Sequence, residues 1–129
     1  MPNIGYFEIP ADNIDRAKHF YRSLLGWTIE PTKTLMDPAG AAALQYHDIT
    51  TGPAQEGTLN SGGMYKRQMT ETIKNFVLVE DVDAVLAKVE KLGGRIVMPK
   101  TDIQGVGPVA IIRDTEGNGI GLWTPAKKK

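Results

Sequence analysis

Two histidines are the residues of this 129-residue chain best suited by type to acid–base or metal chemistry. His19 falls in a helical stretch, offset from its apolar positions, and reads as a solvated helix residue. His47 falls in a β run with Gln45 on the same side. It reads as a partly exposed or hydrogen-bonded strand histidine ahead of a ligand role. The chain has no cysteine, which excludes disulfides, thiolate metal sites and cysteine nucleophiles. No serine combines with a histidine and an acid into a credible triad. The stretch Gln104-Gly105-Val106-Gly107 lacks both the spacing and the lysine of a phosphate loop.

Composition narrows the choice further. The chain is 41% hydrophobic, with 15 Lys and Arg against 15 Asp and Glu. That is too apolar and too neutral for a disordered chain. Phosphate neutralisation needs an excess of basic residues on one face, so nucleic acid is not the expected partner. The one basic cluster, Lys127-Lys128-Lys129, reads as a frayed end. No apolar run reaches the roughly 18–20 residues of a membrane span. Met1–Gly5 lacks the basic-then-apolar order of a secretory signal. A cytoplasmic protein with one domain over residues 1–129 is expected.

Elements that could position a site come from an internal repeat. Displaced by 68 residues, the stretch 4–29 lies on 72–97 without a gap. Asp15 then meets Asp83, Leu24 meets Leu92 and Gly26 meets Gly94. Each copy predicts a short strand, a capped amphipathic helix, a glycine stop and a further strand. In the first helix Ile14, Ala17, Tyr21, Leu24 and Leu25 share a face. Asp12 or Asn13 can cap it, and Gly26 can end it. In the second, Val82, Val85, Leu86, Val89 and Leu92 form the stripe, Asp81 is the cap and Gly93-Gly94 the stop. Strands are predicted at Ile4–Ile9, Trp27–Glu30, Ala41–Asp48 and Gly57–Tyr65. The second copy adds Phe76–Val79, Arg95–Met98, Val106–Arg113 and Gly119–Trp123. Asp37-Pro38-Ala39-Gly40 reads as a turn, and Asp114–Asn118 as a hairpin connection. The fold class is therefore α+β, with two β-α-β-β-β modules at about 1–67 and 71–126. They are expected to form an eight-stranded cup with the helices outside.

Phe7-Glu8-Ile9-Pro10-Ala11-Asp12-Asn13, Arg16-Ala17, Phe20-Tyr21 and Leu25-Gly26-Trp27 resemble the first module of the vicinal oxygen chelate superfamily. This is the glyoxalase I, bleomycin-resistance protein and extradiol dioxygenase group. Val79–Asp83, Leu92-Gly93-Gly94 and the Asp114–Asn118 hairpin resemble its second module. The resemblance covers nearly the whole chain and implies a divalent metal in the enzymes of the group. Its ligands would come from the first and last strand of each module, leaving an open position for a substrate oxygen. It also implies a homodimer, for which edge strands offer a surface.

Carried onto this chain, the four ligand positions fall on Tyr6, Gly63, Lys74 and Gly121. None is a histidine or carboxylate; glycine has no donor side chain and an ammonium repels a cation. No metal and no cofactor are therefore expected. Strand alternation puts Glu8 beside Tyr6, where it could bind a cationic group or pair with Lys74. The same rule sets Phe76 beside Lys74 and Trp123 beside Gly121. Tyr6, Tyr65, Phe76 and Trp123 would then wall a small-molecule site, with Glu8 and Lys74 as its charges. Equally, these aromatics could fill the core. The two glycines favour a cavity, leaving room where the enzymes place a carboxylate. The favoured function is binding of a small organic molecule, with no catalytic residue assigned. A metal-dependent lyase, isomerase or dioxygenase using Glu8 and His47 is one alternative. A non-catalytic assembly domain is the other.

Overall fold

The computed structural model of the protein describes residues 2–33, 38–53, 55 and 57–126. Lys127-Lys128-Lys129 and Asp37 lie outside them. The backbone divides into two units. The first runs from Tyr6 to Ile73; the second takes the residues from Lys74 on, together with the first five.

The first unit holds most of β1 (Ile4–Ala11), α1 (Ile14–Leu25), β2 (Thr28–Pro31), α2 (Pro38–Leu44), β3 (His47–Thr50) and β4 (Ser61–Lys66). Its strands lie in the order β2-β3-β4-β1. β1 and β4 are parallel, and the other pairs antiparallel. Asn13 caps α1, its side chain accepting from the Arg16 amide. Gly26 ends α1 in the left-handed region at φ 74°, where a side chain would be strained. Asp12, the other candidate cap, pairs instead with Arg67 at 2.9 Å. Ile9, Ala11, Ile14, Ile29, Ile49 and Met64 form the core, with Phe7, Ala17, Tyr21 and Trp27 against it. The expected helix stripe runs out early: Leu24 and Leu25 are exposed.

Residues 41–44 correct the sequence reading. They belong to helix α2, not to a strand, and β3 begins only at His47. Pro38 opens the helix, where its missing N–H costs nothing, and four of the next five residues are strong formers or neutral. Gln45 then takes φ 49°, the one positive φ outside glycine among the described residues.

The second unit holds β5 (Lys74–Leu78), α3 (Val82–Val89), a 3-10 turn at Glu90–Leu92, β6 (Arg95–Ile103), β7 (Gly107–Arg113) and β8 (Gly119–Trp123). Its strand order is β5-β8-β7-β6, again with one parallel pair, β5 and β8. Asp81 caps α3 by accepting from the Asp83 and Ala84 amides. The last turn tightens and Gly93, at φ 95°, ends it, leaving Leu92 exposed. β6 runs five residues past its predicted end at Met98. Its register shifts once between Ile96 and Met98 and again between Met98 and Thr101, the second spanning Pro99, which has no N–H for the ladder. Val79, Val82, Ala110 and Leu122 form this unit's core beneath α3. The chain is thus α+β, with the predicted β-α-β-β-β order repeated in both units and interrupted in the first by α2, and among the described residues no helix is long and apolar enough to cross a membrane.

Candidate functional site

Alternation along the strands of each unit separates a helix-covered face from a second face. In the first unit Ile9, Met64 and Ile49 lie under α1. Glu8, Gly63 and Asp48 are in register across β1, β4 and β3 and take the other face. Tyr6 and Tyr65, two residues from Glu8 and Gly63, share it. Tyr46 precedes β3 in phase with Asp48 and joins them.

These side chains form a chain of hydrogen bonds. The Tyr46 hydroxyl donates to Glu8 Oε2 at 2.7 Å, and lies 2.8 Å from the Tyr6 hydroxyl. The Tyr46 ring stacks on Tyr65, with centroids 6.4 Å apart and planes 9° from parallel. Tyr46 and Tyr65 are each only 6% exposed, while Tyr6 and Glu8 are half-buried. Burial pushes all three phenols well above their ordinary value, and the Glu8 carboxylate pushes in the same direction. Asp48 adds to the effect at Tyr6, and Glu71 at Tyr65. A phenolate beside carboxylates in a dry site is disfavoured on both counts.

Gly63 sits directly beneath this network. A Cβ there would collide with the Tyr46 hydroxyl and come within 2.7 Å of the Tyr6 oxygen. The expectation that Gly63 leaves a cavity is therefore corrected: phenols take that room. Gly121, its counterpart in the second unit, is covered by the Phe76 ring, whose Cγ would lie 2.6 Å from an added Cβ. The two parallel pairs match in register, Glu8 opposite Gly63 and Phe76 opposite Gly121.

The remaining predicted residues lie in the second unit. Lys74, Phe76 and Trp123 share the face turned away from α3, since Val77 and Leu122 lie under that helix. Lys74 is 9% exposed, its side chain passing Gly119 at 3.8 Å from an added Cβ. The Trp123 indole N–H donates to the Val106 carbonyl at 2.9 Å.

A divalent cation does not fit these positions. A phenol, two covered glycines and an ammonium offer no hard anionic donor set. No group of three His, Asp or Glu side chains among the described residues could hold one. The alternative ligand pair is also corrected. His47 is in register with Met64 on the α1 side, so it points away from the Glu8 face. Its Nδ1 contacts the Gln45 carbonyl at 2.7 Å.

Tyr46 is the residue that sequence reasoning missed. The predicted strand over 41–48 drew attention to Gln45 and His47, the opposite phase. The phase shared with Asp48 was the available signal.

Comparison with known proteins agrees with this architecture. "Putative glyoxylase CFP32" of Mycobacterium tuberculosis (strain CDC 1551 / Oshkosh) is 32% identical over 119 residues, covering 92% of this chain and 44% of that protein. "Anthracycline biosynthesis protein DnrV" of Streptomyces peucetius is 24% identical over 137 residues, covering 92% and 46%. The chain thus spans about half the length of the curated relatives it matches. Among solved structures, a Streptomyces coelicolor methylmalonyl-CoA epimerase variant in complex with 2-nitronate-propionyl-CoA shares the fold. Its TM-score is 0.67 at 15% identity, over 98% of this chain and 99% of that one. With residues 3–122 matching its family model, the chain belongs to the Glyoxalase/Bleomycin resistance protein/Dioxygenase superfamily.

Proposed function

We propose that this protein binds a small organic molecule at the Tyr6–Glu8–Tyr46–Tyr65 face, without a divalent cation at the superfamily's ligand positions. Lys74, Phe76 and Trp123 are the second unit's candidates for ligand contact. The observation that carries the reading is the phenol chain over Gly63. Two phenols and a carboxylate, joined by hydrogen bonds of 2.7 and 2.8 Å, stand where a metal-ligating side chain would have to project. Such an arrangement suits a site that holds a ligand by hydrogen bonds and aromatic contact. The one-domain organisation over residues 1–129, the homodimer and the cytoplasmic location belong to the same reading.

Thermal shift with a methylmalonyl thioester, an anthracycline and a bleomycin, followed by a wider metabolite set, tests it. A binder present at 100 times its Kd stabilises the native state by about 2.7 kcal/mol. The expected result is a rise in Tm that survives EDTA and shrinks in Tyr6→Phe and Glu8→Gln. Binding that EDTA abolishes, or that both substitutions leave unchanged, overturns the reading.

A further inference from the structure

We propose that Tyr46 fixes the hydrogen-bond polarity of this face, so that the site selects a ligand presenting an N–H or O–H to the Tyr6 oxygen. This rests on the ligand-binding reading above and adds the chemical class of the ligand.

A phenol has one proton to give, and an ionised carboxylate has none. Tyr46 gives its proton to Glu8 Oε2. Its contact with Tyr6 at 2.8 Å must then be one in which Tyr6 donates and Tyr46 accepts. The Tyr6 proton is thereby turned inward. Every other hydrogen bond at the Tyr6 oxygen, from the protein or from a ligand, is one that it accepts. Glu8 and Asp48, on the same face, also only accept. Tyr6 and Glu8 are half-buried, whereas Tyr46, the residue that sets the direction, is 6% exposed.

The backbone holds Tyr46 in place. Its N–H donates to the Ala41 carbonyl, and its own carbonyl accepts from the Thr32 amide, both at 3.0 Å. Gln45 reverses the chain just before it in the left-handed region, a conformation that side chains other than glycine enter at some cost. The ring is then clamped on Tyr65. Burial keeps both phenols protonated through the physiological range, so the direction of the chain does not reverse by ionisation.

Two fragments of similar size separate the outcomes: indole, whose ring N–H only donates, and acetophenone, whose carbonyl only accepts. Binding is read from amide NMR shifts at Gly63 during titration, in the full chain. Wild type is expected to favour indole by about fivefold, the worth of one net hydrogen bond. Tyr46→Phe keeps the ring and its stacking but releases the Tyr6 proton; the preference should vanish or pass to acetophenone. Tyr6→Phe should lower indole affinity by about fivefold and leave acetophenone unchanged, an arm that stands if Tyr46→Phe folds poorly. A wild-type preference for acetophenone, or a preference untouched by both substitutions, overturns the polarity inference while leaving a ligand site. No shift at Gly63 with either fragment overturns the ligand-binding reading itself.

Discussion

The two units place a parallel strand pair in the same register and use it for different chemistry. In the first, Glu8 stands opposite Gly63, and two phenols cover the glycine. In the second, Phe76 stands opposite Gly121 and covers it with an apolar ring. The 68-residue displacement carries Glu8 onto Phe76 and Tyr6 onto Lys74. A repeated backbone thus supports a hydrogen-bonding corner in one copy and a buried apolar one in the other. Each closing strand has a glycine where rings from elsewhere in its unit already fill the space, those of Tyr46 and Tyr6 over Gly63 and that of Phe76 over Gly121.

The glycines give the largest test of that comparison. Gly63→Ala should destabilise by about 3 kcal/mol, at the upper end for overpacking, because the stacked Tyr46 ring cannot retreat. Adding Tyr46→Phe removes the nearest atom and should recover part of the loss in a double-mutant cycle followed by urea denaturation. Gly121→Ala should cost about 2 kcal/mol, and Phe76→Leu should relieve it. Failure of either rescue would mean that the glycine is needed for another reason.

Tyr46→Phe alone should cost about 1.5–2 kcal/mol, the lower end of the range for losing a bond to a charged acceptor. It also sharpens the contrast in alkali. All four tyrosines of the chain precede Lys74, and three of them are held well above their ordinary value. A phenol whose folded value is raised contributes stability that is complete below the unfolded value of about 10 and is lost as pH rises through the folded one. Urea midpoints should therefore fall above about pH 10 in wild type and fall less steeply in Tyr46→Phe. Trp27, stacked on Tyr21 at 5.2 Å, reports on the first unit, and Trp123 on the second. Single-tryptophan variants should show whether the alkaline loss begins at Trp27.

The smallest effect is expected in the second unit's hairpin. Asp114 accepts from the Glu116 and Asn118 amides and from the Asn118 side chain. These bonds hold its carboxyl below the usual carboxylate range. Its contribution is present above the unfolded value of about 3.9 and is lost as pH falls through the folded one. Asp114→Ala should lower Tm slightly at pH 7 and not at all in strong acid.

Much of the frame is readable from local signals. The Asp81 cap and the Gly26 and Gly93 stops act within one helical turn, so the residues themselves declare them. The closing strand Gly119–Trp123 and the Asp114 hairpin are equally local. Errors arose where two local signals competed. Residues 41–44 could be read as alternating β, yet Pro38 and the alanines make them helical. That shift hid the phase of Tyr46. Leu24, Leu25 and Leu92 have helical spacing, but spacing alone does not reveal how far a sheet extends beneath its helix.

The sequence by itself determined the duplicated β-α-β-β-β pattern and the face on which Tyr6, Glu8 and Tyr65 lie, because periodicity, caps and glycine stops depend on near neighbours along the chain. Only the tertiary structure decided that Tyr46 meets Tyr6 and Glu8, from 40 and 38 residues away. It also decided that the glycines are covered rather than open. Both depend on strand register and on the volume of rings from other strands, and no stretch of sequence carries that information alone.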